Sequence, residues 1–318
     1  MKRRRHSPSP AERSGATASV SSWLSPTAAE ELEREGTTAY RIFSSEHQWI
    51  ERFGATAMIS VKDHAAAEPL LAGLENWQKE VGVTLSRVYV RLLVRQPREN
   101  DQPVLLRGEP DASTREVVRE SGLSYEVDFA SGYSVGMFCD QRANRLRLRS
   151  LRPVHVLNTF AYTCAFSVAA AAEGARTLSV DLSKSSLNRG RRNFELNGLD
   201  PSAHRFIADD VLAVLPRLAA RGEQFDVIIL DPPTFGRAGP KRTFRAAKDY
   251  EELMALALAC AAPGASLLLS TNCTSLNVFK LRSMASRVAR GRVEFLPPVS
   301  QPDFPPGHGS STVWAVRK

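Results

Sequence analysis

Five short apolar segments most constrain the fold of this 318-residue chain, because patterns typical of helices separate them. The segments are residues 154–160, 176–180, 205–208, 227–230 and 266–269. Apolar runs of this length, alternating with helices, favour parallel strands joined by right-handed crossovers. The chain is therefore predicted to be an α/β protein, with a mostly parallel sheet and helices on both faces.

Polar side chains lie near the carboxyl ends of four of these predicted strands. Asn158 lies in the first, Asp181 ends the second, Asp209 and Asp210 follow the third, and Asp231 follows the fourth. Ligands of open α/β sheets bind just beyond the carboxyl ends of the strands. Asp181 lies a little over twenty residues after Asn158, about where an acidic residue grips ribose hydroxyls. A nucleotide-like ligand is therefore predicted at this edge.

The strand 227–230 runs into Asp231, two prolines and, one residue later, Phe235. Pro232 and Pro233 fix φ and remove two N–H donors, so carbonyl oxygens remain as acceptors for a donor-rich ligand. Asp231 would orient that ligand, and Phe235 would offer a stacking face. The alternatives are that Asp-Pro-Pro only stops a strand and that Phe235 is a core residue covering the strand end.

The order of these motifs resembles class I S-adenosylmethionine-dependent methyltransferases of the bacterial large-subunit (23S) ribosomal RNA methyltransferase family. The matching segments are residues 132–142, 158–163, 179–183, 192–199 and 231–235. They lie within roughly residues 125–277. The resemblance implies a Rossmann-like core, S-adenosylmethionine as the cofactor, and methylation of a base in ribosomal RNA.

The resemblance also implies the roles of individual residues. The implied cofactor-binding residues are Asn158, Phe160, Ala161, Tyr162, Thr163, Asp181, Leu182, Ser183, Asp209, Asp210 and Asp231. Of these, residues 158–163 would surround the methionine part, Asp181 would hold the ribose, and Asp209 or Asp210 would lie near the adenine. The implied catalytic residues are Asp231, Pro232, Pro233, Phe235 and Cys273.

One loop departs from the methyltransferase pattern. Cys164 and Ala165 occupy a turn in which glycine normally lets the backbone approach the cofactor. Small side chains suit the same turn. The alternative is that the loop does not bind the cofactor. The chain would then be a non-catalytic RNA-binding protein with the same fold. A dehydrogenase is disfavoured because the glycine-rich pyrophosphate turn is missing.

The modified base depends on the role of Cys273. In the cytosine-5 branch of the family a cysteine at this place attacks the pyrimidine, because carbon 5 needs thiolate addition at carbon 6. The guanine-N7 branch lacks that cysteine but shares the amino-acid sequence of residues 231–235. Guanine N7 already has a lone pair and needs mainly positioning. We favour cytosine C5 as the methylated atom, with Cys273 as the nucleophile. The alternative is guanine N7 with a structural Cys273.

The chain carries a net charge of +8 and a pI of about 9.6, which favours a nucleic-acid partner. Two basic clusters are predicted to contact RNA phosphates. The first is a helical stripe after a possible Asp140 cap, the second follows Phe235, and their members are Arg142, Arg145, Arg149, Arg152, Lys241, Arg242, Arg245 and Lys248. Arg142, Arg145, Lys241 and Arg242 are the predicted substrate-binding residues. A solvated arginine face is the alternative for the first cluster, and a place in the cofactor pocket for Arg142.

Four segments are predicted along the chain. Residues 1–36 form a disordered basic tail, 37–124 a small α+β domain, 125–152 a β-hairpin turning near 131–132 with a connecting helix, and 153–318 the methyltransferase domain.

Cellular context follows from the cysteines and the hydropathy pattern. Cys139, Cys164, Cys260 and Cys273 form no CxxC pair, which suits a reducing cytoplasm and gives no zinc site. Cys139, Cys164 and Cys260 are predicted to be packing residues. The absence of a long apolar run predicts a cytoplasmic protein without a membrane partner. The cysteine pattern predicts no metal partner. The oligomeric state is left open.

Overall fold

The computed structural model describes residues 21–94, 101–238 and 242–318. The strands are β1 Ser22–Trp23, β2 Ala39–Ser44, β3 Trp49–Phe53, β4 Thr56–Val61, β5 Arg87–Leu92, β6 Val104–Arg107, β7 Arg115–Glu120, β8 Leu123–Asp128, β9 His155–Thr159, β10 Arg176–Asp181, β11 Arg205–Ala208, β12 Phe225–Leu230, β13 Phe235–Ala238, β14 Arg242–Arg245, β15 Ala261–Thr271, β16 Val293–Phe295 and β17 Ser311–Arg317. The α-helices are α1 Pro26–Arg34, α2 Ala67–Val81, α3 Arg142–Ser150, α4 Ala165–Ala171, α5 Lys184–Glu195, α6 Val211–Ala220, α7 Ala246–Ala259 and α8 Val278–Val288.

A seven-stranded sheet forms the carboxyl-terminal half, in the order β11-β10-β9-β12-β15-β17-β16. β11, β10, β9, β12 and β15 are parallel, and β17 runs antiparallel to both of its neighbours. The five predicted strands are thus confirmed as β9, β10, β11, β12 and β15, and so is the mostly parallel α/β sheet.

Alternate residues of the central strands pack on opposite faces of this sheet, as the two-residue period of a strand requires. Leu157, Ile228 and Leu230 belong to a core shared with α6 and α7. Val156 and Ile229 belong to a second core shared with α3 and α4. Both faces are therefore covered, which explains why these strands read as continuous apolar runs.

A six-stranded sheet in the order β1 to β6 precedes this core, and α1 and α2 pack on it. Ser25 caps α1 by accepting a hydrogen bond from the N–H of Ala28, and Pro26 occupies the first turn. Ala29 and Leu32 of α1 are buried. The prediction of disorder is therefore wrong for residues 21–36, because a cap and one apolar face suffice for a docked helix. Residues 1–20 lie outside the described residues.

The predicted hairpin at residues 125–138 is also wrong. β8 pairs with the preceding strand β7 instead, and residues 129–138 form no strand. The turn between them has φ of 49° at Ser121 and 82° at Gly122. Positive φ at both central residues is the geometry of tight hairpin turns, and it matches the twist of the strands. The charged residues of β7 hid this strand from the apolar pattern.

The helix predicted at residues 140–151 is confirmed as α3, but Asp140 does not cap it. The Asp140 carboxylate accepts hydrogen bonds from the N–H and hydroxyl of Ser310, at 2.9 and 2.6 Å. A short 3-10 turn, Cys139–Gln141, precedes α3 instead. Asp140 therefore binds the carboxyl-terminal loop to the edge of the sheet.

Two arginines of the predicted stripe, Arg142 and Arg145, are buried. Arg145 donates two hydrogen bonds of 2.6 Å to Glu120, and Arg142 forms a two-pronged ion pair with Asp303. Both arginine side chains are only 3% exposed. The predicted phosphate contacts of Arg142 and Arg145 are therefore wrong, because helical spacing alone does not distinguish a solvated stripe from one paired with distant carboxylates.

The second basic cluster includes Lys241 and Arg242. Lys241 lies outside the described residues, and Arg242 lies in β14. Their phosphate contacts stay predictions. In the described parts of the chain, we find no helix long and apolar enough to cross a membrane.

Breaking the buried pair of Arg145 should destabilise the fold. We expect Arg145→Leu to lower the free energy of unfolding by about 3–5 kcal/mol, because Glu120 is left buried without its counter-ion. Urea unfolding measures this change. The double variant Arg145→Leu/Glu120→Leu should recover most of the loss.

The control for this prediction is Arg107→Ala, since its pair with Glu75 is 55% and 45% exposed. An exposed pair contributes less than about 1 kcal/mol. Equal unfolding free energies for Arg145→Leu and the wild type would show that the buried pair contributes nothing.

Candidate active site

A cavity of about 450 Å³ lies at the carboxyl ends of β9, β10 and β12. This volume falls within the range of small-molecule sites. The predicted site residues that line it are Arg145, Asn158, Phe160, Ala161, Tyr162, Thr163, Asp181, Leu182, Asp210, Asp231, Pro232 and Pro233. We call it the strand-end cavity. The fold thus brings most of the predicted set together.

Two predicted cofactor residues do not line this cavity. Ser183 caps α5, its hydroxyl accepting a hydrogen bond from the N–H of Ser186 at 3.1 Å. Asp209 forms an ion pair with Arg217. Its neighbour Asp210 caps α6 and does line the cavity. Of the two adjacent carboxylates, Asp210 is therefore the one that can meet a ligand.

The loop after β9 adopts left-handed backbone at three residues that are not glycine. The φ angles are 53° at Phe160, 48° at Tyr162 and 61° at Cys164. Such residues cost of order 1–3 kcal/mol each and persist where the surroundings enforce them. The loop therefore keeps the left-handed backbone that glycine adopts easily, although these residues are not glycine. This conformation has an energetic cost.

Four hydrogen bonds hold this loop. The N–H of Tyr162 donates to Asp181 at 2.8 Å, and the Tyr162 hydroxyl donates to the carbonyl of Ser134 at 2.6 Å. Thr163 donates to the carbonyl of Gly136 at 2.5 Å, and the Asn193 amide donates to the carbonyl of Thr163 at 2.9 Å. Partners from three other parts of the chain thus offset the strain.

Space for the Cys164 side chain comes from Gly190 in α5. A Cβ atom at position 190 would lie 2.4 Å from the Cys164 sulfur. Cys164 is fully buried there, and burial raises the pKa of its thiol to about 12. It is a packing residue, as predicted.

Asp181 is fixed by the backbone. Its two carboxylate oxygens accept hydrogen bonds of 2.8 Å from the N–H groups of Tyr162 and Ser183. Burial raises the pKa of Asp181, and the two hydrogen bonds oppose that shift. Each carboxylate oxygen keeps a second lone pair, so the side chain can still accept from ligand hydroxyls.

Asp231 lies beside a chain of buried hydrogen bonds that begins at Ser270. Against the rise that burial causes, the Ser270 side chain lowers the pKa of the Asp231 carboxyl, and the Ser270 hydroxyl accepts from the Gln141 amide at 2.9 Å. Asn144 donates to Gln141 at 2.9 Å, and the Trp314 indole donates to Asn144 at 2.9 Å. The chain therefore fixes the position of the Ser270 side chain next to Asp231.

Burial is the main cause that raises the pKa of Asp231, to about 6. The nearby Asp140 carboxylate adds to the rise, whereas the Ser270 hydrogen bond and Arg145 lower the pKa. At neutral pH the side chain is thus ionised and able to accept hydrogen bonds.

Cys273 and Phe235 lie outside the strand-end cavity. Cys273 is 7% exposed, belongs to the apolar core of Leu276 and Leu281, and has its sulfur 3.2 Å from the Ser275 hydroxyl. Phe235 is 59% exposed in β13. The alternative that Phe235 covers the strand end as a core residue is therefore wrong.

Sequence reasoning gave no role to several residues that build the site. They are Ser134, Gly136, Met137, Phe138, Gln141, Ser270, Asn272 and Ser310. Residues 134–141 lie inside the segment 132–142, whose resemblance to the family could have identified them as site residues. Ser270 and Asn272 reach the site because β15 pairs with β12, and Ser310 reaches it because β17 pairs with β15.

The lining has the chemistry of a site for a donor-rich, cationic ligand. Asp140, Asp181, Asp210 and Asp231 all line the cavity, so it offers acceptors to hydroxyl, amino and positively charged groups. Together with the sheet order, these features define a class I methyltransferase fold with a site for a nucleoside-bearing cofactor.

Comparison with known proteins agrees. The family model of S-adenosylmethionine-dependent methyltransferases matches residues 72–313. The chain is 32% identical over 256 residues to ribosomal RNA large subunit methyltransferase I of Aeromonas salmonicida (strain A449), covering 77% of this chain and 63% of that protein. It is 42% identical over 169 residues to YwbD of Bacillus subtilis (strain 168), covering 52% of this chain and 42% of that protein.

A solved structure shares the fold as well. SMU.776, crystallised in complex with SAH, superposes with a TM-score of 0.74 at 26% identity, covering 93% of this chain and 80% of that one. The chain therefore belongs to the S-adenosylmethionine-dependent methyltransferases, and S-adenosylmethionine is its cofactor. The four carboxylates of the strand-end cavity fit the hydroxyl, amino and sulfonium groups of that molecule. Among the described residues, no group of three or more His, Cys, Asp or Glu side chains is arranged to hold a metal ion.

The packing of Cys164 on Gly190 can be tested with a double variant. Gly190→Ala should destabilise the protein by about 1–3 kcal/mol, because the added methyl group overlaps the sulfur. In a Cys164→Gly background the same change should cost almost nothing, since the next atom, the Thr163 carbonyl carbon, lies 3.5 Å away. Thermal unfolding of the four proteins measures both costs, and equal costs in the two backgrounds would contradict the assigned contact.

The raised pKa of Asp231 predicts a stability change with pH. Relative to Asp231→Asn, the wild type should be most stable below pH 3.8 and should lose that advantage as pH rises through about 6, because the folded protein holds the proton more tightly. The total loss is about 3 kcal/mol. Urea unfolding of both proteins at several pH values measures it. A constant difference between them would show that Asp231 has an ordinary pKa.

Proposed function

We propose that this protein transfers a methyl group from S-adenosylmethionine to a base of large-subunit ribosomal RNA. The observation that carries the proposal is Asp231, an ionised acceptor beside Ser270 at the rim of the cofactor cavity. The name of the Aeromonas relative and the net charge of +8 support an RNA substrate. The chain spans only 42% and 63% of the two relatives' lengths, so this substrate is our inference.

The cofactor contacts that we propose follow the lining of the strand-end cavity. Residues 158–163 surround the methionine part, Asp181 accepts from the ribose hydroxyls, and Asp210 lies beside the adenine. The cofactor supplies an electrophilic methyl group. The protein's own contribution is to hold the acceptor base in line with that methyl group and to exclude water.

Asp231 orients the base by accepting from its N–H groups. The hydrogen-bonded Ser270 side chain lies beside this carboxylate, and Pro232 and Pro233 form the adjacent wall. Phe235 is exposed next to this wall and supplies a stacking surface for a base taken out of its helix. Lys241 and Arg242 remain the residues that we propose to contact RNA phosphates.

Guanine N7 is the acceptor that we favour. Cys273 is buried in an apolar core and does not line the cavity, so it is poorly placed to add to a pyrimidine. N7 of guanine has its own lone pair and needs no nucleophile from the protein. Cytosine C5 is the second candidate, because Cys273 directly follows Asn272, which lines the cavity.

The test is methylation of unmodified ribosomal RNA with radiolabelled S-adenosylmethionine, followed by digestion and identification of the labelled nucleoside. We expect labelled 7-methylguanosine, unchanged in amount in Cys273→Ala. Asp231→Ala should reduce labelling by at least about 100-fold, because an acceptor that positions the reacting base is lost. The matched control is Asp209→Ala, since this carboxylate does not line the cavity.

Other results would change the assignment. Labelled 5-methylcytidine that disappears in Cys273→Ala would make cytosine the substrate and Cys273 the nucleophile. Full activity of Asp231→Ala would remove Asp231 from the reaction. A wild-type protein that labels no RNA, yet binds RNA, would be the non-catalytic RNA-binding protein.

A further inference from the structure

A second cavity, of about 1,260 Å³, opens between the six-stranded sheet and the methyltransferase core. We call it the inter-sheet cavity. It shares five lining residues with the strand-end cavity, and they are Ser134, Met137, Phe138, Asp140 and Asn272. The two spaces therefore adjoin, and a ligand in the larger one can present an atom to the smaller one.

A buried polar cluster forms one wall of the inter-sheet cavity, with Glu51 at its centre. The Glu51 carboxylate accepts from the Trp49 indole at 3.2 Å, from Arg41 at 3.4 Å and from Arg91 at 3.4 Å. Arg91 also donates to the Ser60 hydroxyl at 2.8 Å. All four partners belong to the six-stranded sheet, so the wall is rigid and formed before any ligand binds.

This wall presents flat π surfaces. The Arg41 guanidinium lies 5.1 Å from the centre of the Trp49 ring. Arg91 lies 5.8 Å from the Trp49 ring centre and 5.1 Å from that of Tyr133. Trp49 and Tyr133 are both half-buried and line the cavity. Aromatic rings and guanidinium planes are the surfaces on which proteins stack unpaired bases.

The cluster also offers hydrogen-bond donors to a ligand. Arg41 and Arg91 share the carboxylate of Glu51, and the Glu46 and Asp140 carboxylates also line the cavity, so the positive charge is local to the two guanidinium groups. Their side chains are each 10% exposed, so water screens this charge only weakly. A ligand with phosphate or carbonyl oxygens can accept hydrogen bonds from these guanidinium groups, whereas a purely apolar ligand cannot.

We propose that the inter-sheet cavity binds an unstacked nucleotide of single-stranded RNA, with its base against Trp49 and Tyr133 and its oxygen atoms toward Arg41 and Arg91. This inference rests on the proposed function, because the bound nucleotide would be the acceptor or its direct neighbour. It assigns substrate recognition to the small domain. The volume exceeds that of the cofactor cavity more than twofold, which leaves space for sugar and phosphate besides the base.

The test measures binding without turnover, by fluorescence anisotropy of a dye-labelled single-stranded RNA oligonucleotide. Tyr133→Leu and Trp49→Leu should each weaken binding by about tenfold or more, because a stacking face is lost. Tyr133→Phe keeps the ring and should bind like the wild type. The matched control is Trp23→Leu, because Trp23 is 37% exposed in the same sheet and does not line the cavity. Calorimetric binding of S-adenosylhomocysteine checks that each variant is folded.

Equal RNA affinity of the wild type, Tyr133→Leu and Trp49→Leu would overturn the proposal, as would a wild type that binds no single-stranded RNA. The methylation assay separates this failure from failure of the proposed function. RNA labelling by the wild type, together with unchanged affinity in both variants, refutes only the inter-sheet cavity. RNA binding that depends on Tyr133, without labelling of any RNA, supports the cavity and refutes the reaction.

Discussion

The buried carboxylate of Asp303 is the interaction on which the arrangement of the whole molecule depends. It pairs with Arg142 at the start of α3 and accepts a hydrogen bond of 3.0 Å from the backbone N–H of Arg41 in β2. One carboxylate therefore joins the carboxyl-terminal loop, the helix that packs on the seven-stranded sheet, and the six-stranded sheet. Removing it from this position would leave a buried guanidinium unpaired, which is far more costly than losing a surface pair. Because the sheets are fixed in this way, the two cavities adjoin.

Hydrogen bonds between distant segments of the chain stabilise both ends of the strand-end cavity. Phe160, Tyr162 and Cys164 adopt positive φ, and hydrogen bonds from distant segments maintain them. At the other end, Ser270 lies beside Asp231 and is itself fixed by a hydrogen bond from Gln141. Neither device is local in sequence. Both place polar groups in advance, which is the form of catalysis that methyl transfer to a positioned atom requires.

Much of the fold and of the site follows from local patterns. β9, β10, β11, β12 and β15 are buried on both faces, so their apolar runs identify them without other information. The carboxylates at the ends of parallel strands meet at one edge for the same geometric reason, which made Asp181 and Asp231 predictable. β7 and α1 were not predicted from the sequence. Charged residues obscure the apolar pattern of β7, and the low-complexity residues next to α1 obscure its short apolar pattern. Asp209 and Asp210 are equivalent in sequence, and only the cap of α6 distinguishes them.

By itself, the sequence determined the α/β class, the strand order along the chain and the residue types at the strand ends, because these depend on period and composition. The tertiary structure decided which charges are available to a ligand. Arg142 and Arg145 read as a basic face, yet Asp303 and Glu120 bury them, since partners more than twenty residues away are invisible to helical spacing. Trp49, Arg41, Glu51 and Arg91 come together only through the pairing of β2, β3, β4 and β5. Long-range pairing, which no local pattern encodes, therefore created the inter-sheet cavity.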